Sequence, residues 1–216
     1  MTDIIETDEE TGLTLKIEQD PDVERPYSHD GSVILAVLHR QYINPAEKFA
    51  GADLTTVEGI AEFEAANAAA RSPWVVIPLF LYDHSGTSYR AGYSNPFSCP
   101  WDSGRVGVIA LWRADFDQPK RGALKGEAWQ QYKRAHWLKA ANACCDEYTA
   151  WANGDCWGYV IEDEDGDDTG DSCWGFIGRE YAEEQAREAF AEALKAARAD
   201  LAANQQAERP DLYAGA

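Results

Sequence analysis

The chain is short of bases, of paired cysteines and of long apolar runs, and each shortage closes off a class of function. No stretch of 18 apolar residues exists, so no membrane-spanning helix is expected. Five cysteines (Cys99, Cys144, Cys145, Cys156 and Cys173) include no C-x-x-C pair, and their odd count argues against a disulfide framework or a structural zinc site. No basic-then-apolar leader opens the sequence, and the reading is a reduced, soluble, cytoplasmic protein. The glycine patterns GxGxxG and GxxxxGK are missing, as is H-E-x-x-H, so no familiar motif announces a cofactor, a metal or a catalytic centre. Lys and Arg number 19 against 38 Asp and Glu, a net charge of −19. Direct nucleic-acid binding is therefore disfavoured, because phosphate contacts need clustered bases.

What remains is enough to fold. The 216 residues are 45% hydrophobic and include 8 Trp and 10 Tyr, too apolar and aromatic for a disordered chain. We read a single domain over 1–216, with a frayed acidic N-terminus at 1–12 and a tail at 205–216. GLTLKIEQ (12–19) alternates Leu13, Leu15 and Ile17 with polar residues, as a half-buried strand does. SVILAVLHRQY (32–42), WVVIPLFLYD (74–83) and RVGVIALW (105–112) are β-forming runs, with Pro78 implying an edge or a bulge. TTVEGIAEFEAANAAAR (55–71) reads as a helix opened by Thr. A long helix is expected at 124–152, because Trp137, Ala141, Cys144, Tyr148 and Trp151 recur on one face. That stripe aims Cys144 at the core and leaves Cys145 to one side.

DCWGYVIE (155–162) and SCWGFIGR (172–179) form the one internal repeat and read as a β-hairpin around an acidic turn. A closing helix at 180–204 should bury Phe190, Leu194, Ala197 and Leu201. The order of elements predicts an α+β fold, an antiparallel or mixed sheet with helices on one face. Trp-rich CWG strands at an exposed edge would favour a homodimer.

The acids are concentrated. Residues 1–30 hold ten acids and two bases, and residues 155–171 hold eight acids and no base. The turn residues Glu162, Asp163, Glu164, Asp165, Asp167, Asp168 and Asp171 are the candidate partner-binding set, and a charged partner would present a basic protein surface. Carboxylates on alternate strand residues lie roughly 6.8 Å apart, a spacing able to meet arrays of Lys and Arg. A glycine-containing turn would hold those charges loosely, which weakens mimicry of a rigid duplex. A calcium loop starting at Asp165 fails, because its twelfth position is Phe176 where a Glu is required. A divalent-ion accessory role stays open as a third reading.

An enzyme reading rests on YDHSG (82–86) and on NPFSCPWDSG (95–104). Asp83, His84, Cys99 and Asp102 supply a thiol, a base and acids, yet their spacing matches no nucleophile signature. The plainer reading makes both segments turns at strand ends. His29, beside Asp30 in another loop, is a weaker candidate still.

YDHSG, PFSCPWDSGRVGVI and the two CWG runs together resemble a family of uncharacterised proteins carried by phages, prophages and plasmids, over roughly residues 28–178. The resemblance carries no catalytic residue with it. It implies an accessory protein of a mobile element, and an acidic protein in that setting would inhibit a host defence system that targets nucleic acid, of the anti-restriction or anti-CRISPR type.

Overall fold

The computed structural model describes residues 2–27, 31–39, 48–49, 51–69 and 71–207. In chain order its elements are β1 (Thr2–Thr7), β2 (Thr14–Gln19), β3 (Val33–Val37), β4 (Lys48–Phe49), β5 (Ala52–Asp53), α1 (Val57–Ala66), β6 (Trp74–Asp83), β7 (Thr87–Ala91), β8 (Ser103–Trp112), α2 (Gly126–Ala152), β9 (Cys156–Glu162), β10 (Cys173–Ile177) and α3 (Arg179–Ala207). The fold is α+β, with antiparallel sheets and a C-terminal hairpin followed by a helix. Contacts separate the chain into unit 1, Met1–Val23 with Gly154–Ala216, and unit 2, Glu24–Asn153. Among the described residues no helix is long and apolar enough to cross a membrane. His29, Asp30 and the end of the 32–42 run (40–42) lie outside the described residues.

Unit 2 is a four-stranded sheet in the order β3-β8-β6-β7. Every residue of β3 is buried, because both faces of the strand are covered. Val33, Leu35 and Val37 point to α2, where they meet Trp137, Ala141, Cys144 and Tyr148. Ile34 and Ala36 point to the opposite face, where α1 supplies Ile60 and Phe63. Helices therefore take both faces here, and the reason is the period-2 alternation of two apolar sets along one strand. Val75, Ile77, Val108 and Ile109 belong to the same sheet as β3, as the β-branched runs predict.

Pro78 sits inside the sheet, next to a register shift at Leu79/Phe80. Its carbonyl accepts from Gly92 N at 3.0 Å, just beyond the last β7 pair at Leu79 and Ala91. In a strand the N and O of one residue face the same side, so the missing N–H falls where the neighbour strand has ended.

The expectation for Cys145 is corrected: it is fully buried, and Cys144 is buried as well. Helix α2 packs against the edge strand β7 as well as against the sheet face, so its flank is covered too. Burial, then the neighbouring Cys144, pushes the Cys145 thiol up to about 12.

Unit 1 is a second sheet, β1-β2-β9-β10, with α3 across one face. Leu13, Leu15, Ile17, Tyr159 and Ile161 meet Ala182, Ala186 and Phe190 of the helix. Leu194 and Ala197 pack at the margin of this core, whereas Leu201 is exposed, one turn past the last core contact. The frayed N-terminus expected over 1–12 is corrected from residue 2 onward, since Thr2–Thr7 pairs with β2. The acids of this stretch meet cations supplied from far along the chain. Arg179 pairs with Asp3 at 2.8 Å, Arg187 with Glu6 at 3.6 Å, and Arg198 with Asp8 at 2.6 Å.

The CWG repeat is sequence symmetry without structural symmetry. Trp157 is buried, with Arg179 5.0 Å over its ring and its Nε1 donating to Asp155. Trp174 is exposed on the edge strand, and its indole lies over Gly158, where a Cβ would come within 2.1 Å of the ring.

Candidate functional site

Register brings the two acidic tracts of unit 1 together. Thr14 pairs with Glu162, so the β1–β2 turn and the β9–β10 turn leave the sheet at the same end. They touch at Gly12, whose φ of +75° and lack of a Cβ allow the Glu164 Cβ to approach; an added methyl would lie 2.9 Å from it. Asp8, Glu9 and Glu10 from one turn thus join Glu162, Asp163, Glu164, Asp165, Asp167, Asp168 and Asp171 from the other. These ten carboxylates meet two bases: Lys16 pairs with Glu162, and Arg198 pairs with Asp8 and Glu10. Among the described residues, Asp163, Glu164, Asp165, Asp167, Asp168 and Asp171 have no basic partner.

The hairpin turn is braced, contrary to the loose turn its composition predicts. Asp163 Oδ1 accepts from the backbone of Asp165 at 3.0 Å and of Asp167 at 2.9 Å. Asp163 N donates to Asp167 O at 2.9 Å, and Gly166 N donates back to Asp163 O at 3.1 Å. Thr169 closes the loop, its N–H and its hydroxyl both donating to Ile161 O at 2.9 Å. Asp168 accepts from the Ser172 hydroxyl and from Gly170 N, and these bonds hold its carboxyl below the ordinary range. Across the turn boundary, the Thr11 hydroxyl and then its N–H and Arg198 hold Asp8 low in the same way. Backbone donors thus fix the carboxylates of Asp8, Asp163 and Asp168 in direction. Among the described residues no group of three or more His, Cys, Asp or Glu converges as metal ligands do.

The second candidate lies at the β6–β7 turn of unit 2. YDHSG is the turn of a hairpin whose return strand β7 the sequence reading missed. His84 N donates to Gly86 O at 3.1 Å, and Ser85 takes the left-handed φ of 60°. The loop 95–103 folds against this turn. Asp83 N donates to Asp102 O at 2.8 Å, Asn95 bonds Phe97 N and Ser103 Oγ at 3.0 Å, and Phe97 stacks on Tyr82 at 5.5 Å.

The four named residues are therefore neighbours, but in the wrong order for nucleophilic catalysis. Cys99 Sγ donates to Asp102 Oδ2 at 3.1 Å, and His84 Nδ1 faces the same oxygen at 4.0 Å. The acid stands between thiol and imidazole, where a triad needs the base in the middle to take the thiol proton. The open cleft of about 400 Å³ beside them is lined by Asp83, Asp102 and Arg105, but not by His84 or Cys99.

Trp101, 92% exposed at the tip of this hydrogen-bonded loop, went unremarked in the sequence. A single Trp among turn formers carries no periodicity to reveal which way it points. Comparisons with protein-family models, with curated proteins and with solved structures give no match.

Proposed function

We propose that the protein is an acidic accessory protein of a mobile element that inhibits a host nucleic-acid-targeting defence complex by docking its acidic end on a basic protein surface, in the manner of a DNA mimic. The observation that carries this reading is the meeting of two acidic tracts, 148 residues apart at Thr14 and Glu162, at one end of a sheet. The genetic setting rests on the motif resemblance alone. Duplex DNA presents about one charge per 1.7 Å of axis, and a cleft built for it releases counterions when a protein supplies the charge instead. Mimicry needs charges held in place. The backbone bonds to Asp163 and Asp168 meet that need, and the approach of Gly12 to Glu164 locks one turn against the other.

The test replaces Asp163, Asp165, Asp167 and Asp168 together with Asn. Asn retains the acceptor oxygen that braces the turn and removes only the charge. The unmodified protein should retain a nucleic-acid-binding complex from host lysate, should lose it as salt rises, and should be displaced by duplex DNA. Equal retention by the Asn protein, or retention indifferent to duplex DNA, would leave the acids as a solubility feature.

A further inference from the structure

Two groups of seven cations stand out among the 19. Lys16, Arg90, Arg105, Arg179, Arg187, Lys195 and Arg198 each form an ion pair. Seven others crowd into 27 residues from Arg113 to Lys139, against three acids, Asp115, Asp117 and Glu127. None of these seven pairs with a described carboxylate, in a chain that has 38 acids to offer. Three of them lie over rings, and Arg113 and Arg121 also donate to the carbonyls of Ser72 and Leu124. Lys133 lies 5.5 Å over Trp129, Arg134 lies 5.5 Å over Tyr93, and Arg113 lies 5.3 Å over Trp137.

Helix α2 also outruns its core. From Gly126 to His136 no residue is buried, and core contact begins at Trp137. This projecting end has a composed face. Lys125, Trp129, Tyr132, Lys133 and His136 follow at i, i+4, i+7, i+8 and i+11, one side of a helix about 17 Å long. Trp129 and Tyr132 stack with an interplanar angle of 21° and centroids 5.9 Å apart, and Tyr132 is 42% exposed. On the other flank Tyr93 is 50% exposed beside Arg134. A solvated helix end needs charge but gains nothing from a half-buried indole beside exposed phenol rings.

We propose that this projecting end of α2 is a binding site for single-stranded nucleic acid, with bases stacking on Trp129 and Tyr132 and phosphates held by Lys125, Lys133 and Arg134. The combination of a cationic track with interleaved flat rings is what sequence-tolerant strand binding requires. An acidic protein segment would use the cations and leave the rings without a role. The overall charge does not forbid the site: unit 2 holds 14 acids and 13 bases, a net −1, so the charge of −19 resides almost entirely in unit 1. Screening over about 8 Å at physiological salt confines each field to its neighbourhood. The inference stands apart from the proposed inhibitory role, since it concerns a different unit and a ligand of opposite charge.

The experiment titrates the full chain into fluorescein-labelled oligothymidylate and follows anisotropy at low salt, with polyglutamate as competitor. Binding is expected, and Trp129→Ala with Tyr132→Ala should weaken it roughly tenfold for each ring removed. Lys125→Gln with Lys133→Gln should lower affinity and reduce the salt slope by about 1.4, since each phosphate contact on a single strand contributes about 0.7. Both pairs lie ahead of the first core contact, so circular dichroism melts should match the parent. No binding of oligothymidylate by the folded parent would overturn the proposal. So would ring variants that bind like the parent while polyglutamate competes fully, which would mark a surface for acidic protein.

Discussion

Units 1 and 2 are built alike, four antiparallel strands crossed by a long helix, yet the two helices hold their sheets by different chemistry. In unit 1, α3 reaches the edge strand β1 through Arg179 and Arg187, paired with Asp3 and Glu6, and the turn after it through Arg198, paired with Asp8. In unit 2, α2 reaches the edge strand β7 through neutral groups. Asn142 Oδ1 accepts from Ala91 N, Thr149 Oγ1 from Tyr89 N and Asn153 Oδ1 from Thr87 N, each at 2.9 Å. Asn142 and Asn153 return a donor each to the carbonyls of Ala91 and Thr87. Alternate residues of β7 thus find on the helix the partners a fifth strand would have offered, and the edge is closed to other chains. The difference teaches that one problem, an open sheet edge, has been met once with charge and once with amides. Unit 1, with 24 acids to 6 bases, should answer to salt and acid, and unit 2 should not.

The largest effects fall on the two cores, where the units should behave the same. Phe190→Ala in unit 1 and Trp137→Ala in unit 2 each empty a site of a buried ring, and each should cost about 3–5 kcal/mol in urea unfolding. A markedly smaller loss at Phe190 would mean that α3 is held by its arginines and not by its apolar face. The next test separates two glycines in central strands. Gly107→Ala would drive a methyl to 1.7 Å from the Ala36 carbonyl, which is backbone and cannot yield. Gly158→Ala meets only the exposed Trp174 ring, which can swing away. Gly107→Ala should therefore cost the upper part of about 1–3 kcal/mol or more, and Gly158→Ala the lower part.

Asn142→Ala should cost about 1–3 kcal/mol by leaving the Ala91 amide unsatisfied, and Asn153→Ala, whose bond to Thr87 N is exposed to water, about 0.5–1.5 kcal/mol. Light scattering should then show concentration-dependent association through the opened edge, and a monomer as stable as the parent would refute the edge role. Arg187→Gln, at an exposed pair, should cost only about 0.2–1 kcal/mol and nothing in high salt.

Titration gives the contrast its sign. Asp8 and Asp168 have carboxyls held low, so their contribution is present above the unfolded value of about 3.9 and is lost as pH falls through the folded one. Cys145 is held up to about 12, so its contribution is present below its ordinary value and is lost as pH rises towards 12. Hydrogen exchange by segment should find unit 1 loosening first in acid and unit 2 first in alkali.

Much of the architecture was legible because it is local. The run 74–83 is β6 residue for residue, and the helical stripe from Trp137 to Trp151 lies on α2. Strand β7 was not legible, because TSYRA is short and its stabilising partners sit on a helix some 51 to 66 residues later. The wrong-order grouping of Cys99, Asp102 and His84 was equally hidden, since residue types are visible in a sequence and the sides they present are not.

By itself, the sequence determined the periodicities, and with them the long apolar strands, the helices and the main inward faces, because apolar burial there is set by nearby residues on one element. Tertiary structure alone decided what the charges mean. The same acids that read as a frayed tail lie on and beside strand β1 once α3 brings its arginines, and a net charge of −19 conceals seven cations between Arg113 and Lys139 that pair with no described carboxylate. Charge acts through space, and distance in space is what a one-dimensional sum of acids and bases leaves out.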